Sequence, residues 1–224
     1  METRTIVASD NIALNFDLIG SGPPLILLHG GGQSRQDWHR VGYTQKLAKD
    51  FTVIALDIRG EIGDSGKPTD PCAYKIERMC QDVLEVADAC NIEKFSVWGY
   101  SYGGNIARFL AAQSNRISSF VMIGVYFGAA AQGNFLNYIK EFQQHWPPIL
   151  EAQKNGTLRL ETISDEDRED LEAEDMNVPL AWLTAILDWG ENSPKDMLCP
   201  TLWIFGTDNQ NCLLSLESYK SEIK

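Results

Sequence analysis

The stretch of this chain best suited to chemistry is Gly99-Tyr100-Ser101-Tyr102-Gly103. A short apolar run, Phe95-Ser96-Val97-Trp98, precedes it, and a helix-forming run, Asn105-Ile106-Ala107-Arg108-Phe109-Leu110-Ala111-Ala112, follows. Between a strand and a helix, Gly-x-Ser-x-Gly reads as a sharp turn that stands a serine above the sheet edge as a nucleophile. The motif alone arises easily by chance, because glycine and serine are abundant; its setting gives it weight. A serine hydroxyl also needs an adjacent base to take its proton.

A second feature is His29-Gly30-Gly31-Gly32, directly after the apolar run Leu25-Ile26-Leu27-Leu28. Acyl transfer passes through a tetrahedral oxyanion, which needs fixed donors aimed at it. A glycine-rich turn lets backbone N–H groups come close enough, and the expected donors are the N–H groups of Gly31 and Tyr102. A phosphate loop is the rival reading, but no Gly-Lys-Ser/Thr follows and the spacing fails for a dinucleotide fingerprint. His29 is expected to orient this turn by hydrogen bonding rather than to act as a base. A third feature, Asp57-Ile58-Arg59-Gly60-Glu61-Ile62-Gly63-Asp64-Ser65-Gly66-Lys67-Pro68, follows the run Thr52-Val53-Ile54-Ala55-Leu56.

Taken together these segments resemble the α/β-hydrolase superfamily, particularly its capped esterase-like and lipase-like members, over nearly the whole chain. The resemblance implies a mostly parallel sheet flanked by helices, with the core at 1–127 and 196–224 and a helical cap inserted at 128–195. It implies Ser101 as nucleophile, an oxyanion hole at Gly31 and Tyr102, and neither metal nor organic cofactor. It also implies a carboxylate in Gly206-Thr207-Asp208-Asn209. The family commonly places that acid three residues after the glycine, where this chain has Asn209. Asp208, one position early, is the expected acid, since only a charge stabilises an imidazolium well; the alternative is that Asp208 merely caps the loop. A further departure is that Glu61 and Ile62 separate glycines between which the family has one residue, so this loop should be one residue longer than usual.

The family order is serine, acid, histidine. This chain has only His29, His39 and His145, and all precede the acid. The expectation is therefore a C-terminally truncated member whose last strand and helix, with the catalytic histidine, are missing. His145 would serve only if the cap folded down over Ser101, and His39 is expected near the pocket mouth. Loss of the base removes most catalysis. The sheet edge left open also leaves room for self-association.

The elements that must hold these groups follow from periodicity. Apolar runs at 25–28, 52–56, 95–98, 120–123 and 201–205 alternate with helix-like segments near 35–49, 76–90 and 104–114, which implies a parallel sheet covered on both faces. An opening hairpin is expected around Ser9-Asp10-Asn11. From about Gly128 to Lys195 no convincing strand appears, only helices at 135–153, 165–174 and 179–189. Their aromatic residues (Phe135, Tyr138, Phe142, Trp146, Trp182, Trp189) either line an apolar cavity or pack the cap onto the core.

Composition narrows the partners. A net charge of -12 and a pI of about 4.6 leave nothing to neutralise phosphates, which excludes nucleic acid. The acidic run at 165–175 reads as a solvated helix face or a cap segment. No secretion signal and no membrane-spanning run is present, and five cysteines without a Cys-x-x-Cys pair point to reduced structural thiols and a cytoplasmic protein. The leading reading is a serine hydrolase acting on a small-molecule carboxylic ester or related acyl bond through an acyl-enzyme, impaired here for want of the histidine. The alternatives are a non-catalytic ligand-binding or interaction relative, and a non-hydrolytic enzyme of the same fold.

Overall fold

The computed structural model describes residues 1–223. Strands β1 (Glu2–Val7) and β2 (Ala13–Ile19) form the opening antiparallel hairpin, and β2 pairs antiparallel with β4 (Thr52–Leu56). Beyond β4 every pairing is parallel: β3 (Pro24–Leu28), β5 (Phe95–Tyr100), β6 (Ile117–Ile123) and β9 (Thr201–Ile204). The seven-stranded order is β1-β2-β4-β3-β5-β6-β9. In β3 and β4 the runs Leu25–Leu28 and Val53–Leu56 are buried throughout, as strands covered on both faces must be.

Helices α1 (Arg35–Arg40) and α2 (Tyr43–Leu47) replace the single helix expected near 35–49. Gly42, at φ 78°, breaks the run between them in a conformation that a helix cannot continue through. Helix α3 (Ile76–Ala89) buries Met79, Val83, Val86 and Ala87 on one stripe. Helix α4 (Tyr102–Gln113), which begins just after Ser101, is buried on nearly every side. The main core joins Phe16, Ile26, Leu28, Ile54, Val97, Ile106, Leu110 and Phe120 across these layers.

Between β6 and β9 the chain forms α5 (Gly133–Lys154), α6 (Asp165–Ala173) and α7 (Asn177–Ala185), close to the expected helices. The expectation of no strand in this region is corrected by a small ribbon, β7 (Gly128–Ala129) with β8 (Glu191–Asn192). Two-residue strands are too short to show alternation, so the sequence carried no sign of them. Helix α8 (Gln210–Tyr219) follows β9. β9 pairs only with β6 among the described residues, and its Leu202 and Ile204 are 58% and 45% exposed.

Two buried ionic clusters fix the loop after β4. Arg35 reaches Asp57, Asp17 at 3.1 Å and Asp64 at 3.0 Å. Arg59, wholly buried, is held by Asp82 and Asp10, each at 2.6 Å, and Asp82 also takes Arg78 at 2.9 Å. Backbone closure from Gly60 N–H to the Gly66 carbonyl at 3.0 Å lets the segment between them turn inward.

Helix α4 crosses β3 and β5 with no room to spare. A β-carbon on Gly103 would lie 2.5 Å from the carbonyl oxygens of Leu28 and His29, and one on Gly99 would lie 2.5 Å from Gly104 Cα. Neither neighbour is a side chain able to swing away. Gly103→Ala is therefore expected to cost at least about 3 kcal/mol, at the upper end of overpacking penalties, read from urea denaturation; an unchanged midpoint would contradict this close crossing.

Candidate active site

Ser101 sits between β5 and α4 with φ 48° and ψ −113°, a backbone conformation that a residue with a side chain adopts only under constraint. The constraint is visible on both sides. Ser101 N–H donates to the Ile123 carbonyl at 2.9 Å, and Gly103 N–H donates to the His29 carbonyl at 2.9 Å. The turn is thereby tied to the ends of β6 and β3, and the serine is pushed up at the N-terminus of α4.

The turn after β3 faces it. His29 is buried, its Nδ1 donating to the Gly30 carbonyl at 2.8 Å and its Nε2 accepting Ile58 N–H at 3.0 Å. A ring nitrogen that accepts a backbone N–H carries no proton, which fixes the neutral tautomer. Burial pushes the His29 pKa down, in keeping with that state. His29 thus shapes the turn, as the sequence suggested. The N–H groups of Gly31 and Tyr102 donate no hydrogen bond among the described residues. Gly32 N–H is engaged, donating to Glu61 Oε2 at 2.6 Å.

Gly31, Gly32, Ser101 and Tyr102 open onto one cavity of about 490 Å³, a volume suited to a small organic molecule. Val125, Tyr126, Phe135, Tyr138, Trp182 and Ile186 make its walls largely apolar. Three of the cap aromatics named from the sequence, Phe135, Tyr138 and Trp182, therefore face the cavity. The others pack: Phe142 and Trp146 lie tilted against each other on α5, and Trp189 lies against Tyr102 and Phe109. The Tyr102 ring sits between Trp182 and Trp189, with centroids 4.8 Å and 5.7 Å away. A larger hollow of about 840 Å³ lies among α5, α6 and α7, but none of its lining residues belongs to the serine turn.

Asn105, also on the wall, is held from behind by Arg108, a fully buried guanidinium. Arg108 donates to Asn105 Oδ1 at 2.6 Å, to the Gly128 carbonyl at 2.9 Å and to Asn192. It has no carboxylate partner among the described residues, and burial pulls its pKa down to about 9. These bonds lock α4 to the β7–β8 ribbon, a role no local sequence signal announced.

The acid loop is placed less simply. Asp208 lies on the β9–α8 loop but is exposed, and it is not among the residues lining the cavity. Its neighbour Asn209 does line it, while its side chain caps α8 by accepting Cys212 N–H at 3.1 Å. No histidine lines the cavity. His39 is not at the pocket mouth as expected; it is held by Asp17 at 2.8 Å and Thr44 at 2.7 Å, in the cluster around Arg35. His145 is half-exposed on the cap, paired with Asp167 at 2.7 Å. Ser101 Oγ makes no hydrogen bond among the described residues.

Comparison with known proteins agrees with this layout. The family model for the alpha/beta hydrolase fold matches residues 23–210. A soluble epoxide hydrolase of Corynebacterium sp. (strain C12) is 41% identical over 103 residues, which is 46% of this chain and 34% of that protein. A fluoroacetate dehalogenase of Burkholderia sp is 34% identical over 111 residues, 48% of this chain and 36% of that protein. The matched stretch thus spans about a third of the length of these relatives. Among solved structures, an epoxide hydrolase from hot-environment metagenomes superposes with a TM-score of 0.72 at 21% identity, covering 100% of this chain and 88% of that one. A putative acyltransferase from Salmonella enterica gives 0.74 at 22% identity, covering 98% and 84%. At these identities the structural likeness speaks for the fold.

The neutral His29 predicts a pH dependence of stability. Its folded pKa lies below the ordinary 6.5, so the unfolded chain takes up the proton first as pH falls, and its contribution is lost on the acid side. The difference in urea midpoint between wild type and His29→Gln should therefore narrow as the pH is lowered from about 7.5 to about 5, across the ordinary histidine range.

Proposed function

The chain belongs to the α/β-hydrolase family, and we propose that its hydrolytic site works through Ser101 on a carboxylic ester or related acyl bond. The observation that carries this reading is the strained, outward-facing Ser101 beside two undonated backbone N–H groups, Gly31 and Tyr102, on one cavity. Ser101 Oγ attacks the acyl carbon, its proton passing to solvent water for want of a histidine on the cavity, and the carbonyl oxygen becomes an oxyanion beside those N–H groups. Collapse expels the alkoxide, which must gain a proton, and water later cleaves the acyl-enzyme. The partially positive N-terminus of α4 adds to the stabilisation of that oxygen.

The printed activities of the relatives, epoxide hydrolysis and dehalogenation of fluoroacetate, suggest a second reading. The chemistry of serine argues against it here. A serine oxygen that displaces a carbon–oxygen or carbon–fluorine bond at a saturated carbon leaves an ether, which water in the pocket does not cleave. Attack at an acyl carbon leaves an ester, which water does. The elbow residue therefore favours acyl transfer.

We further propose Asp208 as the acid of the site, one residue along the loop from the lining Asn209, with the core at 1–127 and 196–224 and the cap at 128–195. His29, His39 and His145 are each committed to other partners, so turnover in this chain is impaired. Substrates are small molecules with an apolar acyl or alcohol part to match the aromatic walls.

A fluorophosphonate probe followed by mass spectrometry should mark Ser101, slowly, and Ser101→Ala should abolish the mark. Hydrolysis of p-nitrophenyl esters by the same protein should be weak, with an acceleration over water of no more than about 10³–10⁴-fold, given the loss that accompanies a missing base. Absence of labelling even at high probe concentration would favour a non-catalytic binding role. Robust turnover abolished by Ser101→Ala would show that a base has been overlooked.

A further inference from the structure

Glu61 is the side chain for which neither the fold nor the acyl-transfer reading has yet accounted. It stands in the loop after β4, where Glu61 and Ile62 separate Gly60 from Gly63. Its residue exposure is 3%, and it has no lysine or arginine in ion-pair contact among the described residues. Oε2 accepts Gly32 N–H at 2.6 Å, while Oε1 is buried with no hydrogen-bond partner. A β-carbon placed on Gly31 would lie 3.9 Å from Glu61 Oε1, 3.8 Å from the Trp182 ring and 3.8 Å from Tyr102 Cβ. The free oxygen therefore lies against the corner formed by both proposed oxyanion donors and the cap.

We infer that Glu61 is a positioning residue for that corner: it takes the N–H of Gly32, leaves those of Gly31 and Tyr102 free, and permits anion capture only in its neutral form. The inference rests on the oxyanion assignment proposed above. A buried carboxylate without a countercharge is held towards its neutral form. Burial is the main cause that pushes Glu61 up to about 8. The groups facing it do not undo that: the backbone N–H groups of Gly32 and Gln33 and Lys67 on its own loop favour the charge, Glu174 beyond α6 opposes it, and the phenols of Tyr74 and Tyr102 are themselves buried and neutral. Near neutral pH the side chain is thus largely an uncharged acid. When it ionises, a full negative charge stands within a few ångströms of the oxygen that the turn is built to hold. At the effective dielectric of a protein site this repulsion weakens anion binding by about tenfold or more.

The test uses the 224-residue chain and benzenesulfonate, a tetrahedral anion whose charge is constant across the range, titrated calorimetrically at about pH 6 and about pH 9.5, either side of the midpoint. Wild type should bind at the lower pH and lose about tenfold more affinity at the higher pH than Glu61→Gln does. The glutamine carbonyl can still accept Gly32 N–H, so the turn keeps its shape without the charge. Parallel pH profiles in the two proteins would overturn the inference, as would no binding at either pH. Loss of binding by folded Glu61→Gln at the lower pH would do the same by making the acid only a strut. Should Glu61→Gln fail to fold, wild type alone decides. Its folded Glu61 pKa is raised, so the urea midpoint should fall as pH rises from about 4.5 towards about 8 and then level off, and the infrared band of a protonated carboxyl should fade around pH 8; a flat midpoint and no such band overturn the inference. The sulfonate forms no covalent bond to Ser101, so its binding is read without the nucleophile. Failure of serine labelling and failure of this inference are therefore separately visible.

Discussion

Everything in the site hangs on how closely α4 approaches the sheet. Gly103 lies against the carbonyls that end β3, and Gly99 lies against Gly104, so the helix enters at a depth that no side chain permits. At that depth Ser101 sits in its left-handed conformation, with Tyr102 packed beside the turn of Gly31. The strain at Ser101, of order 1–3 kcal/mol, persists because the hydrogen bonds to Ile123 and His29 over-determine it. A serine turn is therefore a packing solution first, and its reactivity is a consequence of where packing leaves the hydroxyl.

Polar groups buried around this crossing divide the labour of holding it. His29 ties the glycine turn to the strand end of Ile58, and Arg108 ties α4 to the β7–β8 ribbon. Arg35, with Asp57, Asp17 and Asp64, fastens the loop after β4 to the opening hairpin. Single buried hydrogen bonds contribute little net stability, but each is costly to leave unmade, so such networks select one arrangement more than they deepen it.

The elements legible in the sequence are those whose signal is local. The buried strands, the serine turn and the glycine-rich turn after Leu28 are each written in a few consecutive residues. The three cap helices are carried by periodicity over longer runs. What was not legible depends on contacts far apart in the chain. His39 reads like a residue near the cavity until Asp17, on another strand, claims it. The two-residue ribbon leaves no alternation to detect. Asp208 and Asn209 differ by one step along a loop, and only the path of that loop decides which one borders the cavity. Glu61 announced itself merely as an irregular spacing; that the extra length turns a carboxyl inward against Gly32 is a property of the closed loop.

The placement of Tyr102 joins two parts of the molecule that sequence keeps eighty residues apart. Its backbone borders the cavity beside Ser101, while its ring is clasped by Trp182 and Trp189, and Trp189 is moored in turn to the Tyr74 carbonyl at 2.8 Å. The segment between β6 and β9 is consequently no loose cover: any displacement of Trp182 is passed to Tyr102, the first residue of α4, through a single aromatic ring.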